Sequence, residues 1–268
     1  MIIDFHTHCF PDALAPRAMA QLSESAKICN MSPKTDGTAG GLISSMEKHG
    51  IDRSVVCNIA TNPHQMHKVN DFALFIAQNY PALIPLGSLH PDGEELEGEL
   101  IRLKEGGIKG IKIHPDYVHT HIDDVAFDKI YSLCVEHGFF IISHTGFDPI
   151  SPDHFHATPE MILNVTKKHP KLTLVAAHMG GLGSEEGVLE SLVGKNLYFD
   201  TSLISYRQGK EKLIDRILNE HDPDKLLFGT DTPWTDPSEE IAALMSADIS
   251  DGLRDKIFHR NAEMLLGI

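Results

Sequence analysis

The 268-residue chain sets 23 Lys and Arg against 38 Asp and Glu, a formal charge of −15 at pH 7, with 41% hydrophobic residues. That acidic balance excludes a nucleic-acid footprint, which needs clustered cations, and no apolar run approaches the ~20 residues of a membrane span. The length suits one α/β barrel of ~250 residues as a single domain over 1–268.

The chain opens on "MIIDFHTH", a short apolar run that reads as a first strand. Residues two apart on a strand share a face, so His6 and His8 aim two imidazoles at one point, with Asp4 lower on the same side. The chain has 17 histidines and two further His-x-His pairs, so this pair alone does not separate a metal grip from chance. The stretch from Phe10 to Gly41 is a long first connection and reads as part of a lid. Seven more apolar runs follow: "DRSVVCNIA", "LIPLGSLH", "GIKGIKIHP", "FFIISHTG", "LTLVAAHMGG", "NLYFDTSL" and "KLLFGTDTPW". Between them lie "KVNDFALFIAQNY", "EELEGELIRLKEGG", "AFDKIYSLCVEHG" and "PEMILNVTKKHP", with apolar residues three or four apart as in helices. "SDGLRDKIFHRNAEMLLG" predicts a closing helix.

Strands that are apolar throughout, each followed by a helix, predict a parallel sheet covered on both faces. Eight of them predict a closed (β/α)₈ TIM barrel. The rival is an open doubly wound sheet, but no glycine-rich phosphate loop follows the first strand. The four cysteines show no Cys-x-x-Cys spacing and read as free thiols in a reducing compartment. With no leader-like N-terminus, the expectation is a cytoplasmic protein.

Barrel enzymes carry their chemistry at the C-terminal ends of strands, which gives a test independent of any motif. Strand one ends in His6 and His8, strand four near Lys112 and His114, strand five at His144, strand six at His178 and strand eight at Asp231. Structural histidines have no reason to choose strand ends. The ligand set that follows is His6, His8, His144 and Asp231, suited to one divalent ion, Zn²⁺ first, with Mn²⁺, Fe²⁺ or Co²⁺ as alternatives. Asp231 would also accept a proton from water, and His178 would polarise a substrate carbonyl or stabilise an oxyanion. A second reading makes His178 a ligand of another ion.

"DFHTH", "GIKGIKIHP", "SHTG", "AAHMGG", "FGTDTPW" and the tail "KIFHRNAEMLLGI" together resemble the amidohydrolase superfamily over almost the whole chain. More narrowly, they resemble its branch of TIM-barrel hydrolases and non-oxidative decarboxylases around aminocarboxymuconate-semialdehyde decarboxylase. The resemblance implies that His6, His8, His144 and Asp231 bind one metal and that His178 is catalytic. The strand-six segment "HMGGLGSEEG" departs from the Gly-Glu and Leu-Pro pattern of the decarboxylases, and the loops are short for them, so the reading favours hydrolysis over decarboxylation.

Lys112 alternates with Ile111 and Ile113 and should point into the barrel, where a lysine is costly unless paired. It reads as the partner of a substrate carboxylate, or as the carbamylated lysine found elsewhere in the superfamily. His114 beside it and Arg207 in "SYRQG" are further substrate-binding candidates. His119 and His121, His154 and His156, and His64 and His67 read as solvated loop histidines, with substrate contact or an extra ion as the alternative. The expected function is hydrolysis of a small amide, lactone or related carbonyl compound, with Lys112 holding a carboxylate where the substrate carries one. A homo-oligomer stays open.

Overall fold

Each of the eight apolar runs contributes one strand to the computed structural model, which describes residues 1–268. The strands are β1 (Ile3–Thr7), β2 (Arg53–Cys57), β3 (Leu83–Leu86), β4 (Gly110–Ile113), β5 (Phe140–Ser143), β6 (Leu174–Ala176), β7 (Tyr198–Asp200) and β8 (Leu226–Leu227). All pairings are parallel, in the orders β1-β2-β3 and β4-β5-β6-β7-β8. Two seams close the cylinder. At one, Lys112 N donates to Gly87 O at 2.8 Å. At the other, Phe5 N donates to Phe228 O and His8 N to Thr232 O, both at 2.7 Å. The fold is a TIM barrel.

Alternation along each strand splits the apolar residues into two cores. Ile3, Phe5, Val55, Ile142, Val175 and Leu227 come from strands all round the cylinder and fill its interior. Ile111, Ile113, Ile141 and Phe199 face outward into the larger core beneath the helices. Lys112 sits between two outward isoleucines and therefore faces inward.

The helices are α1 (Ala15–Ala26), α2 (Ala39–His49), α3 (Met66–Asn79), α4 (Leu96–Glu105), α5 (Asp128–His137), α6 (Pro159–Lys168), α7 (Glu185–Ser191), α8 (Glu211–Glu220) and α9 (Pro237–Ser246). Three of these starts carry side-chain caps: Thr38 accepts from Gly41 N, Thr158 from Met161 N and Asp236 from Ser238 N. Because Asp236 caps α9, Asp231 is free of that duty. The tail runs as α10 (Asp251–Asp255), a π-helical turn (Lys256–Arg260) and α11 (Asn261–Leu266) rather than as one regular helix. A contact from just past β8 accompanies the irregular turn: Ile257 O accepts from Phe228 N at 2.9 Å. No helix is long and apolar enough to cross a membrane.

The first connection is pinned rather than loose. Phe10 N donates to Gly37 O at 2.8 Å, and Lys34 N to Pro233 O at 2.7 Å, which fastens it across the segment that follows β8.

On α9, Glu240 is fully buried and accepts from Ser205 Oγ at 2.5 Å, and burial pushes its carboxyl up to about 8. A carboxyl that holds its proton more tightly when folded contributes stability that is complete below its unfolded pKa. That contribution erodes as pH rises through the folded value. Chemical denaturation of wild type and Glu240→Gln side by side isolates this contribution: the stability difference, wild type minus variant, should fall from about pH 4.5 towards about pH 8.

Candidate active site

The C-terminal ends of β1, β7 and the segment after β8 bring His6, His8, Asp200 and Asp231 together. His6, His8 and Asp231 place one donor atom each within 4.8 Å of one another. Gly229, just past β8, allows this approach: a Cβ there would stand 3.0 Å from His6 Cβ. The hydrogen bonds fix each ring's tautomer, because a carbonyl or carboxylate can only accept. His6 Nδ1 donates to Asp200 Oδ2 at 2.9 Å, and His8 Nδ1 donates to Cys57 O at 2.9 Å. With Nδ1 so committed, each ring turns its Nε2 inward, onto Asp231 Oδ1, at 3.6 Å from His6 and 3.1 Å from His8.

His144 and His178 repeat the pattern. His144 Nε2 donates to Phe147 O at 3.2 Å, which leaves Nδ1 bare. Ser202 Oγ donates to Asp200 Oδ1 and so accepts from His178 Nδ1 at 2.7 Å, which leaves His178 Nε2 bare. These two bare nitrogens face each other at 3.1 Å. Burial holds His6 and His178 well below the usual imidazole range and lowers His144 to about 4, so all three rings are neutral at pH 7.

Inward nitrogens of His8, His144 and His178, a His6 Nε2 matched only by Lys112 Nζ at 3.2 Å, and the Asp231 oxygen crowd one mouth of the barrel, a set of acceptors that a cation resolves. Each ring also gives its outer N–H to a carboxylate, carbonyl or hydroxyl, the second layer typical of metal-ligating histidine. The residues fit a divalent ion. His144 is joined to the His6, His8 and Asp231 group through His178, and its other nitrogen lies in a neighbouring group with His114 and Asp148.

Lys112 is 1% exposed, and its Nζ lies 3.2 Å from His6 Nε2. No carboxylate lies within ion-pair distance of it. His114 is buried and stacks on His144, with ring centroids 4.2 Å apart and planes 6° from parallel. Arg207 is placed differently from the expectation. Its guanidinium is buried against Glu185 at 3.1 Å and donates to His178 O at 2.5 Å, so its charge is already matched and it braces the β6 turn from behind. His121 and His154 meet at 2.7 Å in the loops after β4 and β5.

The sequence reading missed Asp200, which orients His6, caps His178 N at 3.0 Å and accepts from Ser202. The strand-end rule would have found it at the end of β7. Backbone strain marks the same place: His178 and Asp231 have φ of 54° and 71°, a left-handed conformation uncommon outside glycine.

A parallel barrel with imidazoles and a carboxylate converging at its C-terminal mouth defines a metal-dependent TIM-barrel enzyme class. The chain belongs to the amidohydrolase family, whose model matches residues 3–268. An uncharacterised TIM-barrel protein from Bordetella bronchiseptica is similar at 21% identity and TM-score 0.78, covering 99% of this chain and 98% of that one. A dihydroxybenzoic acid decarboxylase from Polaromonas, with bound manganese and the inhibitor 2-nitroresorcinol, is similar at 16% identity and TM-score 0.74, covering 99% and 96%. A putative 2-pyrone-4,6-dicarboxylic acid hydrolase from Pseudomonas putida is similar at 17% identity and TM-score 0.68, covering 99% and 97%. No curated protein matches the chain.

Proposed function

We propose that the protein hydrolyses a small carboxylated amide, lactone or related carbonyl compound at a single divalent metal held by His6, His8, His144 and Asp231. The observation that carries this reading is the pair of imidazoles, His6 and His8, turned on the Asp231 carboxylate, with His178 stacked on His6 and its Nε2 facing His144 Nδ1. Three nitrogens and one oxygen suit Zn²⁺, and Mn²⁺ is the ion named for the Polaromonas relative. The ion, when bound, supplies the Lewis acidity that lets water ionise near neutral pH.

The chain's own residues do the rest. Asp231 accepts the proton of the attacking water and returns it to the leaving group. His178 has a bare Nε2, so it takes up a proton before it can donate one to an oxyanion. Asp200, acting through the Ser202 hydroxyl, stabilises the ring while it carries that proton. Lys112 is a buried cation with no carboxylate of its own, which supports a substrate that brings one.

A second reading is supported by the similar structures named as decarboxylases: release of carbon dioxide from a small aromatic or unsaturated acid at the same centre. A panel of lactones, amides and hydroxylated aromatic acids separates the two. Ring opening or amide cleavage is expected, and carbon dioxide as the product replaces the first reading with the second.

Asp200→Asn removes the charge behind His6 while keeping an acceptor for its Nδ1–H. Loss of such an outer partner weakens a metal by roughly 10–100-fold. Chelator competition should show that weakening with the fold intact by circular dichroism.

A further inference from the structure

Tyr117 lies just past β4, on the same side of the mouth as His114, and neither the metal centre nor Lys112 uses it. Its backbone N–H donates to His114 O at 3.1 Å, which turns the chain back over the strand end. Its ring packs edge-on against the His114 ring, with centroids 4.4 Å apart and planes at 72°. His114 in turn stacks on His144, so Tyr117 ends a row of rings that begins at the metal centre.

The polar tip of this ring is free. Tyr131 donates its hydroxyl to Ile122 O at 2.5 Å, the usual state of a tyrosine packed into a fold. Tyr117 is half-buried, and its hydroxyl makes no hydrogen bond within the protein. Burial, then the charges of Asp148, Asp231 and Asp116, hold it above the usual phenol range, so it keeps its proton and stays a donor. Those carboxylates come from the loop after β5, the segment after β8 and the turn after β4. A hydroxyl within reach of all three faces across the mouth rather than away from it.

The same carboxylates decide what the hydroxyl can meet. Two of them are fixed through one oxygen: Asp148 Oδ1 accepts from Ile150 N at 2.8 Å, and Asp116 Oδ1 from His156 Nδ1 at 2.9 Å. An anionic group set among them would be repelled. A neutral carbonyl oxygen accepts from the phenol and brings no charge. The Lys112 ammonium does not act on this hydroxyl, so a substrate carboxylate on Lys112 and an oxygen on Tyr117 belong to separate parts of one molecule.

We propose that Tyr117 is a specificity residue that donates a hydrogen bond to a neutral carbonyl oxygen of the substrate, some bonds away from the carboxylate held by Lys112. This rests on the hydrolase reading above and narrows its substrate to an acid with a well-separated carbonyl.

The test uses the full-length protein loaded with Mn²⁺ and two probes, 5-oxohexanoate and hexanoate, which differ in one carbonyl oxygen. Calorimetry on wild type should show 5-oxohexanoate binding about 5–10-fold tighter, the worth of one neutral hydrogen bond. Tyr117→Phe removes the hydroxyl alone and should bring the two probes to within about twofold of each other, with Mn²⁺ affinity and circular dichroism unchanged. Failure of wild type to distinguish the probes overturns the proposal. So does a preference that survives in Tyr117→Phe, which would assign the carbonyl to the metal instead. On a lactone or amide that the substrate panel shows to be cleaved, the same variant should raise KM about tenfold and hold kcat within about threefold. A fall confined to kcat would overturn the binding role. A panel without turnover removes the hydrolase reading, while the probe pair still decides Tyr117, so the two fail separately.

Discussion

Asp231→Asn should reduce turnover by roughly 10²–10⁴-fold, the range for loss of a positioned general base, and should lower metal affinity in the same protein. The asparagine keeps an oxygen near His8 and His6 but loses the charge that draws a cation to their bare nitrogens. Its amide can also donate to His8 Nε2, so the lone pairs are matched without an ion. Burial raises the Asp231 carboxyl, which means the charge is tolerated rather than favoured by the fold alone. The metal-free variant should therefore melt no lower than metal-free wild type. Metal analysis beside a melting curve checks both halves. A variant that keeps full metal and full turnover would remove Asp231 from the centre. A variant that loses metal through a collapsed melt would assign the residue to folding instead.

Most of the barrel was legible because its strands are buried on both faces and are bounded by turn residues. "LTLVAAHMGG" and "KLLFGTDTPW" stand out as strands although the paired segments are as short as Leu174–Ala176 and Leu226–Leu227. The inward aim of Lys112 followed from strand alternation and from nothing else. Where the reading fell short, partners distant in sequence decided the outcome. Arg207 resembles a free cation in "SYRQG", but Glu185 from α7 neutralises it, and that pairing exists only once β6 and β7 lie side by side. The π-helical turn in the tail accompanies a carbonyl that accepts from Phe228 N.

The centre itself was partly legible. His6, His8 and Asp231 were placed by strand ends, and the structure draws their donor atoms together. Asp200, Asp116 and Asp148 carry the same residue chemistry at or just after strand ends. They were passed over because an aspartate next to Thr or Pro also reads as a turn residue. What distinguishes them is the hydrogen bonding on one oxygen that fixes the other. Which nitrogen of each imidazole faces inward was beyond any sequence pattern, since Cys57 O and Asp200 make that choice from other strands and Phe147 O from the fold of the loop after β5.

His178→Ala should keep the metal and lose turnover by about 10²–10³-fold, the usual effect of removing one group that stabilises developing charge. The expectation rests on where the ring is anchored. Its Nδ1 is committed to Ser202, its backbone N–H to Asp200 and its carbonyl to Arg207, so the residue is held by groups that do not touch His8 or Asp231. Truncation keeps the backbone anchors to Asp200 and Arg207 and removes the ring, with its Nδ1–Ser202 bond and its bare Nε2. His144 then loses a neighbour at 3.1 Å but keeps its bond to Phe147 O, and its Nδ1 stays turned inward. The measurement is metal content and single-turnover rate on one preparation. Were the alanine variant to empty the metal site, His178 would be a ligand rather than a proton carrier, and the centre would be built from His6, His178 and Asp200 as well as from Asp231.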